Sequence, residues 1–548
     1  MAERSRLSQV RHELEAALEA IIQDLGAPPG TPVVLSEPTE AGRADLATSV
    51  AFGLARTLRK SPRDIAAEMS ARFSGHPAVR ALQADGPGYV NVWLRVEFLA
   101  GILDDVLENP RSFGRSDEGQ GARVLLEFVS ANPTGPLNVV SGRAAALGDS
   151  LARLLNFTGW RADKEFYLNN AGVQILKLGQ AVDLRIRELF GEEVESTWPE
   201  GVYPGAYVRD VARAYLDQRG ADAPRSHEVL GAFAADFFTD RQREVLERFR
   251  VHYDSWAEER RFRESGAAEG VIAALRESGH LYDQDGAVWF RSTAFGDDKD
   301  RVVVKSDGSL TYIVPDAAYH WDKVNRGYER LIDLLGPDHH GYVSRITAIL
   351  EALSGQGSRL LVLIVQLVRL MRGQEAVRMS KRGGEFVELT ELLDEAGVDA
   401  ARFFFIERAS ETPLDFDLGL ALLNTQANPV FYVQYAGARI RSILRQAAHE
   451  TVGDGPAAPM TSDEERALLW DLASFPDVVD RAARELSPHF LTRYLVEFAG
   501  HFHGFYRQHR VLGGEADTVR ARLRLVRAVL AVLETATGLI GVEIPENM

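Results

Sequence analysis

A run of mainly aliphatic residues, Val124-Leu125-Leu126-Glu127-Phe128-Val129, leads into Ser130-Ala131-Asn132-Pro133-Thr134-Gly135-Pro136 and then into a helical pattern from about 142 to 157. Strand, Gly/Pro-rich loop and helix in that order open a Rossmann-like βα unit, which puts a ligand at the strand's carboxyl end against the helix N-terminus. The middle of the chain is thereby expected to be α/β. Residues 164–168 read as the next strand, and strand signals return at 302–304, 331–335 and 360–365. The polar, turn-rich stretch at about 185–290 reads as a mostly helical insertion. Ahead of this unit, Leu7, Val10, Leu14, Leu18, Ile21, Ile22 and Leu25 recur at helical spacing, and Tyr89, Val90, Val92 and Leu94 read as a strand after Gly86-Pro87-Gly88. The expected organisation is a small α/β domain at 1–112, a Rossmann-like domain at 113–385, a connecting segment at 386–418 and an all-α bundle at 419–548.

A chain of 548 residues exceeds what one hydrophobic core serves, in keeping with several domains. It has no cysteine, which excludes disulfides, thiolate zinc sites and cysteine nucleophiles and fits a reducing, cytoplasmic setting. The polar opening gives no signal peptide. The longest apolar run, 360–371, is interrupted by Gln366 and Arg369 and is too short to span a bilayer, so no membrane partner is expected. A net charge of −17 argues against indiscriminate nucleic-acid binding, although local patches govern phosphate contacts.

The segment Val377-Arg378-Met379-Ser380-Lys381-Arg382 follows that apolar run. Cations flanking a serine on a mobile loop suit a polyphosphate whose charge grows in nucleotidyl transfer, and they also fit a solvated basic turn. Further segments fall in a fixed order: GPGYVN at 86–91, EFVSANPTGPL at 127–137, YLNNAG at 167–172, KSDGSLTYIVPDAAYH at 305–320, GPDHHGY at 336–342, RMSKR at 378–382 and NPVFYVQYAGARI at 428–440. In these segments the chain resembles bacterial arginyl-tRNA synthetases over essentially its whole length, and RMSKR resembles the KMSKS loop of class I aminoacyl-tRNA synthetases. The resemblance implies activation of L-arginine by ATP with Mg²⁺, dependent on bound tRNA, and transfer to the terminal adenosine of tRNA(Arg). It also implies a monomer and no protein-held metal.

The resemblance places Glu127 and Asp316 around the arginine guanidinium, which carboxylates bind through bidentate forks, with the Tyr312 hydroxyl as a further partner. Tyr312 and Asp316 are four apart, so one helical turn would put them on one face. The plain alternatives are a strand-end acid for Glu127 and a helix cap for Asp316. Ser130 and Asn132 are implied to hold the amino acid's α-amino and carboxylate end, although both residue types also favour turns. His339 and His340 follow the strand at 331–335; His340 is assigned to the amino-acid site, and ordinary loop histidines fit as well. Met379, Ser380, Lys381 and Arg382 are implied to serve ATP.

One departure stands out. Class I synthetases carry a HIGH motif, usually HVGH in this family, and Asn138-Val139-Val140-Ser141 occupies those positions between intact flanks, Pro136-Leu137 and Gly142-Arg143. Asn138, Val140, Ser141 and Gly142 are then the ATP-site positions. Asn138 and Ser141 can donate hydrogen bonds but carry no imidazolium charge. Loss of such a donor elsewhere costs about 2.7–4 kcal/mol. Val140 puts a branched side chain where adenine approaches a glycine. Asn170 stands where the family usually has Asp, and Gly437 where it usually has His. Two readings follow: a working synthetase in which the helix N-terminus, Lys381, Arg382 and Mg²⁺ carry the phosphate load, or a catalytically impaired paralogue that binds arginine or tRNA as a regulator. The retained acids, the RMSKR loop and the bundle favour the first; the replaced motif favours the second.

The bundle is expected to read the anticodon by stacking and edge contacts. Tyr432, Tyr435 and Arg510 are candidates, with core packing and a solvated helix face as alternatives. The resemblance adds Met548 beside the anticodon loop and Asn91 at the tRNA elbow, where the alternative is an edge-strand asparagine.

Overall fold

The apolar stripe at the start of the chain forms helix α1 (Arg6–Asp24), which buries Leu7, Val10, Leu14, Leu18 and Ile22 and is capped by the Ser5 hydroxyl accepting from the Ser8 amide at 3.0 Å. The computed structural model describes residues 5–38, 44–194, 199, 201–373, 375–376, 387–448 and 456–548. After α1 come β1 (Leu46–Thr48), α2 (Val50–Leu58), α3 (Pro62–Arg72), β2 (Val79–Asp85), β3 (Tyr89–Leu94) and α4 (Val96–Glu108). The three strands form an antiparallel sheet in the order β1-β3-β2, so β3 is its central strand.

The α/β unit follows with β4 (Arg123–Glu127), α5 (Val139–Phe157), β5 (Arg161–Leu168), α6 (Val173–Leu189), α7 (Tyr207–Arg219), α8 (His227–Arg248), β6 (Ser255–Glu258), α9 (Glu259–Glu264) and α10 (Ala267–Glu277). The antiparallel β7 (Leu281–Gln284), β8 (Ala287–Phe290) and β9 (Arg301–Val304) lead to α11 (Ile313–Asn325), β10 (Arg330–Leu335), α12 (His340–Ser354) and β11 (Leu360–Ile364). The central sheet runs β11-β10-β4-β5-β6 with every pairing parallel. Chain order therefore reverses between β4 and β10, and the crevice at their carboxyl ends is where such a sheet takes its ligand. The first helix of this unit starts at Val139, three residues ahead of the sequence pattern, because Asn138 caps it.

One expectation about the surrounding segments changes. Residues 185–290 are not wholly an insertion: β6 pairs with β5 and forms one edge of the central sheet. Ser255-Trp256-Ala257-Glu258 has no aliphatic run, so nothing in the pattern marked it as a strand. The connecting segment carries regular elements of its own within 387–418: α13 (Leu389–Ala396), α14 (Val398–Ile406) and β14 (Leu414–Asp417); β14 pairs with β12 (Val368–Arg372), which also pairs with β13 (Glu375–Ala376). After α15 (Leu418–Ala421) comes the bundle of α16 (Pro429–Ala447), α17 (Asp463–Arg484), α18 (His489–Gln508) and α19 (Ala516–Leu539). Among the described residues no helix is long and apolar enough to cross a membrane.

Candidate active site

Strand register lines up three acids across the crevice. Glu127 at the end of β4 is the partner of Asp333 on β10 and of Glu165 on β5, so the three carboxylates stand abreast on one face of the sheet. All three are buried. Helix α11 lies over that face and brings Tyr319, His320, Lys323 and Arg326 to them. Lys323 Nζ lies 2.5 Å from Glu127 and 3.0 Å from Asp333; His320 Nε2 lies 2.7 Å from Asp333. Arg326 grips Glu165 through two nitrogens at 2.7 and 2.8 Å, and the Tyr319 hydroxyl donates to the same acid at 2.8 Å. Burial would push Glu165 up, but these hydrogen bonds with Ser255, and the charges of Arg326 and Lys323, hold it below the usual carboxylate range.

Asp316, in the first turn of α11, differs from these three. Among the described residues its carboxylate has no hydrogen-bond partner, and burial pushes it up to about 6 despite the nearby His320, with Glu259 and Glu127 adding to the rise. Tyr342 on α12 faces the same space: burial and the charges of Asp316, Asp333 and Glu127 push its phenol well above its usual value. Sequence reasoning named Glu127 and Asp316 but missed Asp333, Glu165, Lys323, Arg326 and Tyr342. Tyr312 is the N-cap of α11 with helical backbone angles, φ −60° and ψ −20°, one turn ahead of Asp316. Helix α11 begins one residue later, and the Tyr312 side chain is 68 % exposed, its hydroxyl accepting from Arg345 at 2.9 Å. His340 opens α12, and His339 is 3.5 Å from Asp338.

The loop after β4 is under backbone tension. Val129 and Ser130 have φ of 72° and 40°, a left-handed region that a β-branched valine rarely enters. Ser130 Oγ donates to Glu127 Oε1 at 2.8 Å and accepts from the Tyr167 amide at 3.1 Å. The Asn132 side chain is exposed, while its carbonyl and that of Gly135 accept from the buried Gln242 amide at 3.1 and 3.0 Å. At the head of α5, Asn138 Oδ1 accepts from the Ser141 amide at 2.9 Å and from the Ser141 hydroxyl at 3.2 Å, so that hydroxyl is turned on the cap. Val140 is half-buried, and Gly142 is buried beneath Leu389 and Phe405. Asn138→Ala is expected to cost about 0.5–2 kcal/mol of stability; an unchanged thermal midpoint would mean the cap holds nothing. Met379, Ser380, Lys381 and Arg382 lie outside the described residues.

The helical C-terminal region matches the DALR anticodon binding domain over 433–548. Residues 8–94 match the arginyl tRNA synthetase N terminal domain, and 225–415 the catalytic domain of class I (R) tRNA synthetases. The Thermus thermophilus arginyl-tRNA synthetase structure superposes with a TM-score of 0.77 at 23 % identity, covering 98 % of this chain and all of that one. An arginine–tRNA ligase from Symbiobacterium thermophilum is 43 % identical over 99 % of this chain and its own entire length. The chain belongs to the arginyl-tRNA synthetase family. A second arginine–tRNA ligase, from Desulforamulus reducens, is 42 % identical over 94 % of each chain.

As a member of that family, the chain explains its smaller departures locally. Asn170 donates to Glu258 at 3.1 Å. An aspartate there would set two carboxylates against each other. A Cβ on Gly437 would sit 2.4 Å from Ile544, so a histidine is excluded where the C-terminal tail lies on α16. Arg441 and Arg445 fasten that tail through the carbonyls of Ile544 and Glu546 at 2.7 and 3.3 Å, leaving Met548 half exposed at its end. Tyr432 packs on His503 with ring centres 4.5 Å apart, and Arg439 lies 4.4 Å over both Tyr435 and Tyr506. Arg510 is exposed. Asn91 departs from the edge-strand reading: it lies on a central strand, it is buried, and its amide donates to Asp85 at 3.0 Å.

Proposed function

We propose that this synthetase activates L-arginine with ATP and transfers the arginyl group to the 3′-terminal adenosine of tRNA(Arg). The observation that carries the reading is Asp316, a shielded acid without a counter-ion among the described residues, beside three acids that each have one. A guanidinium is planar, permanently charged and forked, and it suits such an acid. In this reading Asp316 takes the guanidinium with help from Glu127 and the Tyr342 hydroxyl, and Tyr312 closes on it by leaving Arg345. Ser130, Asn132 and His340 hold the amino-acid end. The arginine carboxylate attacks the α-phosphate of ATP; pyrophosphate leaves, and the adenosine hydroxyl later displaces AMP. The head of α5, with Asn138, Val140, Ser141 and Gly142, receives the nucleotide, and Met379, Ser380, Lys381 and Arg382 close on its phosphates.

Mg²⁺ enters as part of the nucleotide substrate. Among the described residues one histidine–carboxylate group, Glu127, His320 and Asp333, converges closely enough for an ion, and the Lys323 ammonium already bridges its two acids. The tRNA partners are Asn91, Tyr432, Tyr435, Arg510 and Met548, and the protein works as a monomer in the cytoplasm. The test is charging of tRNA(Arg) with labelled arginine by purified protein, ATP and Mg²⁺. Robust charging supports the reading; binding of arginine and tRNA without charging would sink it.

The raised Asp316 carboxyl gives a pH signature. Below about 6 the free site is protonated and loses its attraction for a cation. The arginine KM is expected to rise by about tenfold per pH unit below that point, with the ATP KM unaffected. Parallel changes in both would remove Asp316 from the arginine site.

A further inference from the structure

Lys323 is sealed from solvent, so no substrate can touch its ammonium, yet it is the hub of the acid row. It bridges Glu127 and Asp333 and lies 4.4 Å over the Tyr319 ring. Through Glu127 it reaches Ser130 and the strained loop, and from there the Tyr167 amide. Two carboxylates abreast in an apolar setting do not both remain ionised without a cation between them. Resting on the reading of the crevice as an arginine pocket, we propose that Lys323 is a positioning and specificity-determining residue: it neutralises Asp333 against Glu127, keeps Glu127 aimed, and so sets the pocket to accept one further cation.

The charge on Lys323 is secure. Burial would push the ammonium down, but Asp333 and Glu127 hold it above its usual value. The groups facing the trio leave it little company in titrating above neutrality. Burial pushes the phenols of Tyr253, Tyr319 and Tyr342 well above their usual values. Arg326 is fixed on Glu165 and Asp322. Asp316, about 6, is ionised by then, and Glu259, His320, His339 and Tyr167 complete the surroundings.

Removing the ammonium therefore has a signature that lost packing lacks. In Lys323→Met, the group of Glu127, Asp333 and His320 takes up a proton in its place, and arginine competes with that proton. The ratio of variant to wild-type kcat/KM for arginine, measured by ATP–pyrophosphate exchange with tRNA(Arg) present, is expected to climb by up to about tenfold per pH unit above neutrality. Taking the ratio cancels the ionisation of the substrate itself. The same ratio for ATP stays flat. In Lys323→Met/Asp333→Asn, which leaves no second acid to neutralise, the slope disappears and arginine kcat/KM stays within about tenfold of wild type. A flat arginine ratio in a folded Lys323→Met protein, or a slope that persists in the double variant, overturns the proposal. If the single variant does not fold, the double variant decides: loss of arginine activation in a folded double variant refutes the assignment. Absence of arginine-dependent exchange in the wild type would instead refute the arginine reading itself, before any variant is compared.

Discussion

Replacing Asp316 by alanine is expected to weaken arginine binding by about 2–5 kcal/mol, roughly thirtyfold to several thousandfold, with ATP binding nearly unchanged. The asymmetry follows from the pairing in the crevice. Glu127 and Asp333 share Lys323, and Glu165 is held by Arg326, so the protein already neutralises these three. Asp316 has the charges of His320 and His339 in its favour, and burial outweighs both. Its ionised form is thus an unrelieved electrostatic burden in the free protein, and a guanidinium relieves it on binding. Truncation removes the partner rather than the nucleotide platform, which the proposed reading puts at the head of α5. Titration calorimetry with arginine and, separately, with a non-hydrolysable ATP analogue separates the two. Equal losses for both ligands would end the guanidinium-clamp assignment. Asp316→Asn refines the result, because it keeps the volume and one acceptor while losing the charge.

The half of this site that was legible in the sequence is the half carried on short contiguous motifs. Glu127 and Ser130 sit three residues apart in one strand-loop unit, and Asp316 follows a proline at a helix start; these short motifs carry the family resemblance, and the resemblance is what singled the residues out. Asp333, Glu165 and Lys323 come from three elements, and only strand register and the seating of α11 bring them together. A signal was present in the chain: Tyr319, Lys323 and Arg326 recur at helical spacing on a face that buries rather than meets water, and Asp333 interrupts an aliphatic strand. A buried helix face with charges on it has to meet opposite charges. Tyr312 does precede Asp316 by one helical turn, but spacing could not show that its ring is exposed and its hydroxyl held by Arg345. The role of Asn138 as a helix cap was readable in principle, since Asn precedes the helix and is a favoured cap, but comparison with the usual histidine drew attention to what the residue lacks. Strand β6 escaped because Ser255-Trp256-Ala257-Glu258 displays no aliphatic run at strand period.

Arg402→Met is expected to destabilise the protein by about 3–5 kcal/mol, the range for breaking a buried charge pair. Arg402 on α14 is fully buried, and its guanidinium donates in three directions: to Asp149 on α5 at 2.6 Å, to the Phe249 carbonyl after α8 at 2.9 Å and to the Ile540 carbonyl after α19 at 2.9 Å. One side chain thus fastens α5 to the end of the C-terminal bundle. The backbone closes around it at Gly541, where φ is +68° and a Cβ would fall 2.3 Å from the guanidinium carbon, so Gly541→Ala should fail in the same way. Burial alone would push Asp149 up, but Arg402, then Arg153 and Lys164, hold it down to about 2. A depressed carboxyl contributes stability that is present above the ordinary carboxylate range and lost as pH falls through the folded value. With Arg402 gone, Asp149 keeps two cations but becomes easier to protonate, so acid unfolding should begin at a higher pH than in the wild type. Two main-chain carbonyls are left without their donor as well, each costing about 1–3 kcal/mol where water cannot reach. Calorimetric unfolding at neutral and acid pH measures both effects, with Arg402→Lys as the variant that retains charge while losing the fork geometry. Methionine matching wild type at both pH values would mean that apolar packing alone joins α5 to the bundle. A deficit in Arg402→Met that lysine only partly recovers would locate the joint in the three-way guanidinium contact, and the same variant should then charge tRNA poorly even where arginine and ATP still bind.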